Sequence, residues 1–119
     1  MKPVVVIKNG TIVNASRSFS ADVLIEGSKI TKIGFDIEAP ENACFIDASG
    51  KYIFPGAVDA HVHMELNTPA GPSSDDFFTG SQAAIAGGTT TMIDFVTPAK
   101  GESLITALNK RKAEAAKSL

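Results

Sequence analysis

The sequence predicts an α/β chain in two parts: a sheet of short strands over residues 1–51, then the opening strand–helix repeats of a larger parallel architecture over 52–119. Three observations carry this. β-Branched runs broken every few residues by Gly, Asn or Pro fill the first fifty positions. From Tyr52 onward, apolar strand-like segments alternate with segments of helical spacing. A chain of 119 residues, 44% of them hydrophobic, is long enough for one modest globular domain and no longer, so it holds only the beginning of any large repeat fold.

In the first part, Val4-Val5-Val6-Ile7 is a strand that Asn9-Gly10, a strong turn dipeptide, is expected to stop before Thr11-Ile12-Val13 resumes. Asp22 to Glu26 leads through Gly27-Ser28 into Lys29 to Ile33, where apolar and polar residues alternate as on a sheet with one wet face. Pro40-Glu41-Asn42 breaks that pattern, and Cys44-Phe45-Ile46 forms a last short strand before Ser49-Gly50. Five short strands separated by turns suggest a small β-sandwich or a partial barrel.

In the second part, Tyr52-Ile53-Phe54 and the Pro55-Gly56 turn lead into Ala57 to Met64. Val58, Ala60, Val62 and Met64 form an apolar row, and Ala57, Asp59, His61 and His63 the opposite one. After the Asn67 to Pro72 loop, Ser73-Ser74-Asp75-Asp76 supplies helix-capping residue types, and the helix runs to Gly87-Gly88. Gly80 inside it weakens the helix by about 1 kcal/mol relative to Ala, which points to close packing against a neighbour. Thr89 to Val96 is apolar enough for a buried strand. Glu102 to Leu119 is a second helix, with Leu104, Leu108, Ala115 and Leu119 on one face and Lys110-Arg111-Lys112 solvated. Strand, helix, strand, helix means parallel strands, and two of them leave open edges and an uncovered face.

Composition excludes several functions. Eleven Lys and Arg against thirteen Asp and Glu give a net charge of −2, which argues against a nucleic-acid partner. One cysteine, Cys44, rules out an internal disulfide and suggests a reducing, cytoplasmic setting; no acid or histidine near it in sequence marks it as a nucleophile. The run Met1 to Lys8 is too short for a signal peptide, and no stretch approaches the ~18 apolar residues of a membrane span.

The chemistry concentrates at His61 and His63. On a strand, an i, i+2 pair shares one face with Cα atoms roughly 6.6 Å apart, and two imidazoles reaching from it can converge on one metal with bonds of about 2.0–2.1 Å. The alternative is a pair of ordinary strand-end histidines. Asp59 on the same face either orients a ligand imidazole or makes a structural hydrogen bond. Glu65 is a further ligand or a solvated loop carboxylate. Asp75 and Asp76 read as helix caps rather than paired acids. Asp94 either lines a site or satisfies a backbone donor.

The stretch Pro55-Gly56-Ala57-Val58-Asp59-Ala60-His61-Val62-His63 resembles the first barrel strand of the amidohydrolase superfamily, with Ala57 where a second glycine is frequent. The segments Asp75-Asp76-Phe77-Phe78-Thr79-Gly80 and Ala86 to Phe95 narrow the resemblance to dihydropyrimidinases and D-hydantoinases, and Ile7 to Val13 is similar to their N-terminal strand. The resemblance implies a β-sandwich built from both chain ends beside a (β/α)8 TIM barrel that holds two zinc ions. In it His61 and His63 are the first-strand metal ligands. The other ligands (a carboxylated lysine, two histidines and an aspartate) fall on later strands with no counterpart here. It implies that Leu66 and Thr68 line the substrate pocket, and it contributes no catalytic residue from this stretch. The activity implied is hydrolytic opening of a dihydropyrimidine or hydantoin ring, as in pyrimidine catabolism, by a homo-oligomer, a tetramer in that family. The barrel being incomplete, the chain alone is expected to be inactive. Glu65 stands where dihydroorotases carry an arginine. Collapsin-response mediator proteins share the later segments but lose metal histidines. They supply the alternative of a non-catalytic assembly or interaction module. A small self-contained domain with a structural histidine pair is the third reading.

Overall fold

A computed structural model describes residues 3–119; Met1 and Lys2, which begin the run too short for a signal peptide, lie outside the described residues. The chain is mixed α/β and divides into two compact units, one ending at Pro55 and one spanning Gly56–Leu119.

The first unit is a single mixed sheet of β1 (Val4–Val13), β2 (Ser18–Glu26), β3 (Lys29–Gly34), β4 (Cys44–Asp47) and β5 (Tyr52–Ile53). Its order is β3-β2-β1-β4, with β5 also on β1. β1 to β3 form an antiparallel meander, whereas β4 and β5 run parallel to β1. Among the described residues it is one sheet, not the two facing sheets of a sandwich. Ile12, Ala21 and Val23 form the core, with Ile7, Phe19, Ile25 and Ile53 packed against them.

Two expectations are corrected here. Asn9-Gly10 does not turn the chain: β1 runs through it, and the pairing with β2 slips between Ile7 and Gly10 as a β-bulge. Asn9 adopts a φ of 64°, a left-handed conformation that Asn tolerates better than most residues. Its N–H donates to Asp22 Oδ1 (3.1 Å) and its Nδ2 to Asp47 Oδ1 (3.1 Å), replacing ladder bonds the bulge forfeits. Residues before the bulge pair with β4 and those after it with β5. The second correction concerns Tyr52-Ile53, expected at the start of the second part. They pair with Thr11-Ile12, so the first unit extends to Pro55 rather than ending at 51.

The second unit holds β6 (Ala57–Val62), a small hairpin of β7 (Asn67–Thr68) and β8 (Gly71–Pro72), α1 (Phe77–Ala86), β9 (Thr89–Asp94) and α2 (Leu104–Ala115). β6 and β9 are parallel, as the strand–helix alternation predicts. Asp76 caps α1 through a capping box: its carboxylate accepts the Thr79 N–H at 2.8 Å, and Thr79 Oγ1 accepts the Asp76 N–H at 3.1 Å. Gly80 packs against Met64; a Cβ there would overlap the Met64 thioether. Gly88, at φ 86°, carries the chain from α1 into β9.

α2 begins later than expected, at the Ser103 cap, and presents a different face. Ala107 is buried and Leu108, Arg111, Glu114 and Ala115 are partly so, but Leu104 and Leu119 lie exposed. That face carries Arg111, which pairs with Asp94 at the end of β9. The buried strand expected over Thr89 to Val96 is corrected: β9 ends at Asp94 and none of its residues is buried, because two strands alone leave the sheet poorly covered, with Val58, Ile93 and Phe95 about half exposed. Among the described residues, no helix is long and apolar enough to cross a membrane.

Candidate metal centre

β6 delivers His61 inside the strand and His63 one residue past its end. The strand is not straight there. Three steps along β6 from Asp59 to Val62 match two along β9 from Met92 to Asp94, so β6 carries an extra residue. Asp59 Oδ1 accepts the His61 N–H at 3.1 Å across that irregularity. Phe95 N–H then donates to Val62 O at 3.2 Å and restores the register.

The imidazoles converge. His61 Nε2 and His63 Nε2 lie 3.2 Å apart, with ring centroids 5.1 Å apart and planes inclined by 59°. Both rings rest on Phe95, at centroid distances of 4.4 and 5.8 Å. Two donors at that spacing, each bound at about 2.0–2.1 Å, subtend roughly 100° at a shared ion, close to the tetrahedral preference of zinc. The pair therefore fits one zinc. Among the described residues, no cluster of three or more His, Cys, Asp and Glu side chains joins it.

The neighbouring acids do other work. Of the two roles open to Asp59, the structure supplies the backbone hydrogen bond to His61. Asp94 Oδ2 accepts the Met64 N–H at 3.0 Å, the backbone-donor alternative of its two readings. Both Asp94 oxygens also engage Arg111, at 2.6 Å from Nε and 2.8 Å from Nη2. Arg111 Nη2 donates to Met64 O, Nη1 donates to Glu114 Oε2 at 3.0 Å, and the guanidinium lies 4.4 Å over the Phe77 ring. This corrects the solvated reading of Lys110-Arg111-Lys112, since the Arg111 side chain is only 15% exposed. The hydrogen-bonded Asp94 carboxylate, with help from Glu114, outweighs burial and raises the Arg111 pKa above its ordinary value. Sequence spacing carries little sign of it, because its partners lie 17 and 47 residues away.

The loop after His63 is tied down locally. Glu65 sits at φ 46°, donates its N–H to Asp75 O at 3.0 Å and pairs with Lys117 Nζ at 3.2 Å. Leu66 lines a cavity of about 140 Å³ with Glu65, Phe95, Lys110, Arg111 and Glu114. Thr68 does not reach that cavity; its hydroxyl donates to Gly71 O at 2.7 Å and accepts the Ala70 N–H at 3.2 Å, closing the hairpin turn. Cys44, on the first unit, is an exposed free thiol.

Comparison with known proteins identifies the family. The amidohydrolase family model matches residues 52–118. A dihydropyrimidinase of Dictyostelium discoideum is 46% identical over 108 residues, 91% of this chain and 22% of that protein. A D-phenylhydantoinase of Escherichia coli is 50% identical over 91 residues, 76% of this chain and 20% of that protein. The structure of a D-hydantoinase (dihydropyrimidinase) from Thermus sp. superposes with a TM-score of 0.88 at 42% identity, covering 93% of this chain and 24% of that one. The chain thus spans about a fifth of the curated relatives' length.

Proposed function

The chain belongs to the amidohydrolase family, and from that premise we propose that it is the N-terminal part of a zinc-dependent hydrolase that opens a dihydropyrimidine or hydantoin ring at its cyclic amide C–N bond. The observation that carries this reading is the 3.2 Å approach of His61 Nε2 to His63 Nε2. Under it, the unit ending at Pro55 contributes strands to a β-sandwich, and the unit from Gly56 opens a (β/α)8 barrel. β6 and β9 are its first two strands, and the His pair lies at the C-terminal end, where such barrels build their sites.

His61 and His63 are the residues that hold zinc, one of two ions in the complete site. When bound, zinc supplies Lewis acidity and lowers the pKa of its water to about 7, which makes a hydroxide nucleophile available near neutral pH. The chain's own residues prepare that position. Phe95 offers both rings an aromatic face to pack on. Asp59 holds the backbone at His61, and Leu66 lines the adjacent cavity that Phe95 also borders. Thr68 shapes the neighbouring hairpin. A catalytic zinc site normally has three protein ligands, and this chain brings two, so the 119 residues alone bind metal without hydrolysing substrate. The complete enzyme acts as a cytoplasmic homo-oligomer. The non-catalytic assembly reading draws no support from the relatives above.

Equilibrium dialysis of the chain against zinc tests the assignment. His61→Ala and His63→Ala should each weaken binding at least tenfold; retention of wild-type affinity by either variant refutes it. Dihydrouracil and hydantoin should be left intact by the chain alone, and turnover of either would overturn the inactive-fragment part of the reading.

A further inference from the structure

β6 ends at Val62, so His63 stands outside the strand and the ladder does not set its direction. The next residue is held unusually well. Met64 offers its N–H to Asp94 Oδ2 and its carbonyl to Arg111 Nη2, and those two side chains are themselves joined through both carboxylate oxygens. His63 is therefore bracketed by Val62, tied to Phe95 N–H, and by Met64, tied to the ion pair. Only a guanidinium serves this arrangement, because its planar fork reaches a carboxylate and a carbonyl at once. Phe77 beneath the guanidinium and Glu114 beside it fix the plane of that fork.

We infer that Arg111, acting with Asp94, is a positioning residue for the imidazole pair: it clamps both backbone polar groups of Met64 and so sets the direction in which His63 approaches His61. A merely structural ion pair would change stability and leave the rings facing each other in every folded molecule. The clamp predicts that the rings part while the fold survives. The inference rests on the proposed zinc site for its metal readout only; its ring-geometry readout stands independently.

The test compares the 119-residue chain with Arg111→Met, each checked for folding by circular dichroism. The first readout is the nuclear Overhauser cross-peak between the ring protons of His61 and His63, whose centroids lie 5.1 Å apart. It should be strong in the wild type and lost or much weakened in the variant. The second is zinc affinity, which should fall about tenfold, the lower end of what supporting residues around metal ligands contribute. An unchanged cross-peak overturns the inference, as does unchanged affinity in a chain that binds zinc. If the wild type binds no zinc, the metal reading fails and the cross-peak alone decides the clamp. Should Arg111→Met fail to fold, Arg111→Lys replaces it: a lysine keeps the charge but cannot grip Asp94 and Met64 together, so its cross-peak must weaken too.

Discussion

Asp22 shows how one buried carboxylate holds the first unit together. Its Oδ1 accepts the Asn9 N–H and its Oδ2 the Ile37 N–H, both at 3.1 Å, with Lys8 Nζ 3.7 Å away. Burial pushes its pKa up, but the two backbone donors and Lys8 pull harder and leave it below its ordinary value. Asp22→Ala would strand the N–H of the fully buried Ile37, at a cost of about 1–3 kcal/mol in urea unfolding near neutral pH. Because the folded-state pKa is the lower one, the charge contributes fully above about pH 4 and is lost as pH falls through the folded value. The stability gap between wild type and Asp22→Asn should therefore close below about pH 4, and a gap that stays constant down to about pH 2.5 excludes this account. At this scale the sequence is readable where chemistry is local. The His61–His63 spacing announces a convergent pair, and it survives an extra residue in β6 that pattern reading cannot see. Arg111 is the opposite case: between two lysines it looks solvated, and only the fold brings Asp94 and Met64 to it.

Elements are legible where their ends are encoded in short runs. α1 lies between an Asp cap and a Gly-Gly stop, as its residues dictate, whereas β1 defeats pattern reading because Asn9-Gly10 meets the dihedral needs of a bulge as well as those of a turn. α2 starts later than its spacing suggests because Ser103, not Glu102, supplies the capping oxygen, accepting the Thr106 N–H at 3.1 Å, and it ends at Ala115 rather than Leu119. Ser103→Ala should lower stability by about 1 kcal/mol, measured by thermal or urea unfolding; an unaffected chain would mean that α2 draws its stability from elsewhere. Gly80 poses a sharper question. Alanine there gains about 1 kcal/mol of helix propensity but collides with Met64, whose displacement costs about 1–3 kcal/mol. Gly80→Ala in the wild-type chain should give no gain, whereas the same change in a Met64→Ala background should recover the helical benefit. A double-mutant cycle with coupling below about 0.5 kcal/mol would show that the two residues do not oppose each other.

Across the whole chain, burial is unevenly shared. In the first unit Val6, Ile12, Ala21, Val23, Ile37 and Ala48 are buried, while in the second the buried apolar side chains are Phe77 and Ala107. Local stability follows buried apolar contact, so amide exchange should be slowest in β1 and β2 and much faster in β6 and β9. The second unit also exposes Val58, Ile93, Phe95, Leu104 and Ile105. On Val58 and Ile93 that exposure is what two strands of a larger parallel sheet leave bare, on Leu104 and Ile105 it is an uncovered face of α2, and water penalises both by roughly 25 cal/mol per Å². The chain should accordingly self-associate with rising concentration in sedimentation velocity. Replacing both Leu104 and Ile105, each about 70% exposed, by lysine should weaken that association without disturbing the His pair. The two measurements constrain each other. If β6 and β9 exchange as slowly as β1 and β2, something must cover them, and the protection should vanish on dilution. Slow exchange in a chain that remains monomeric at every concentration would mean that the second unit is stable as it stands, and the barrel reading would lose its physical motive.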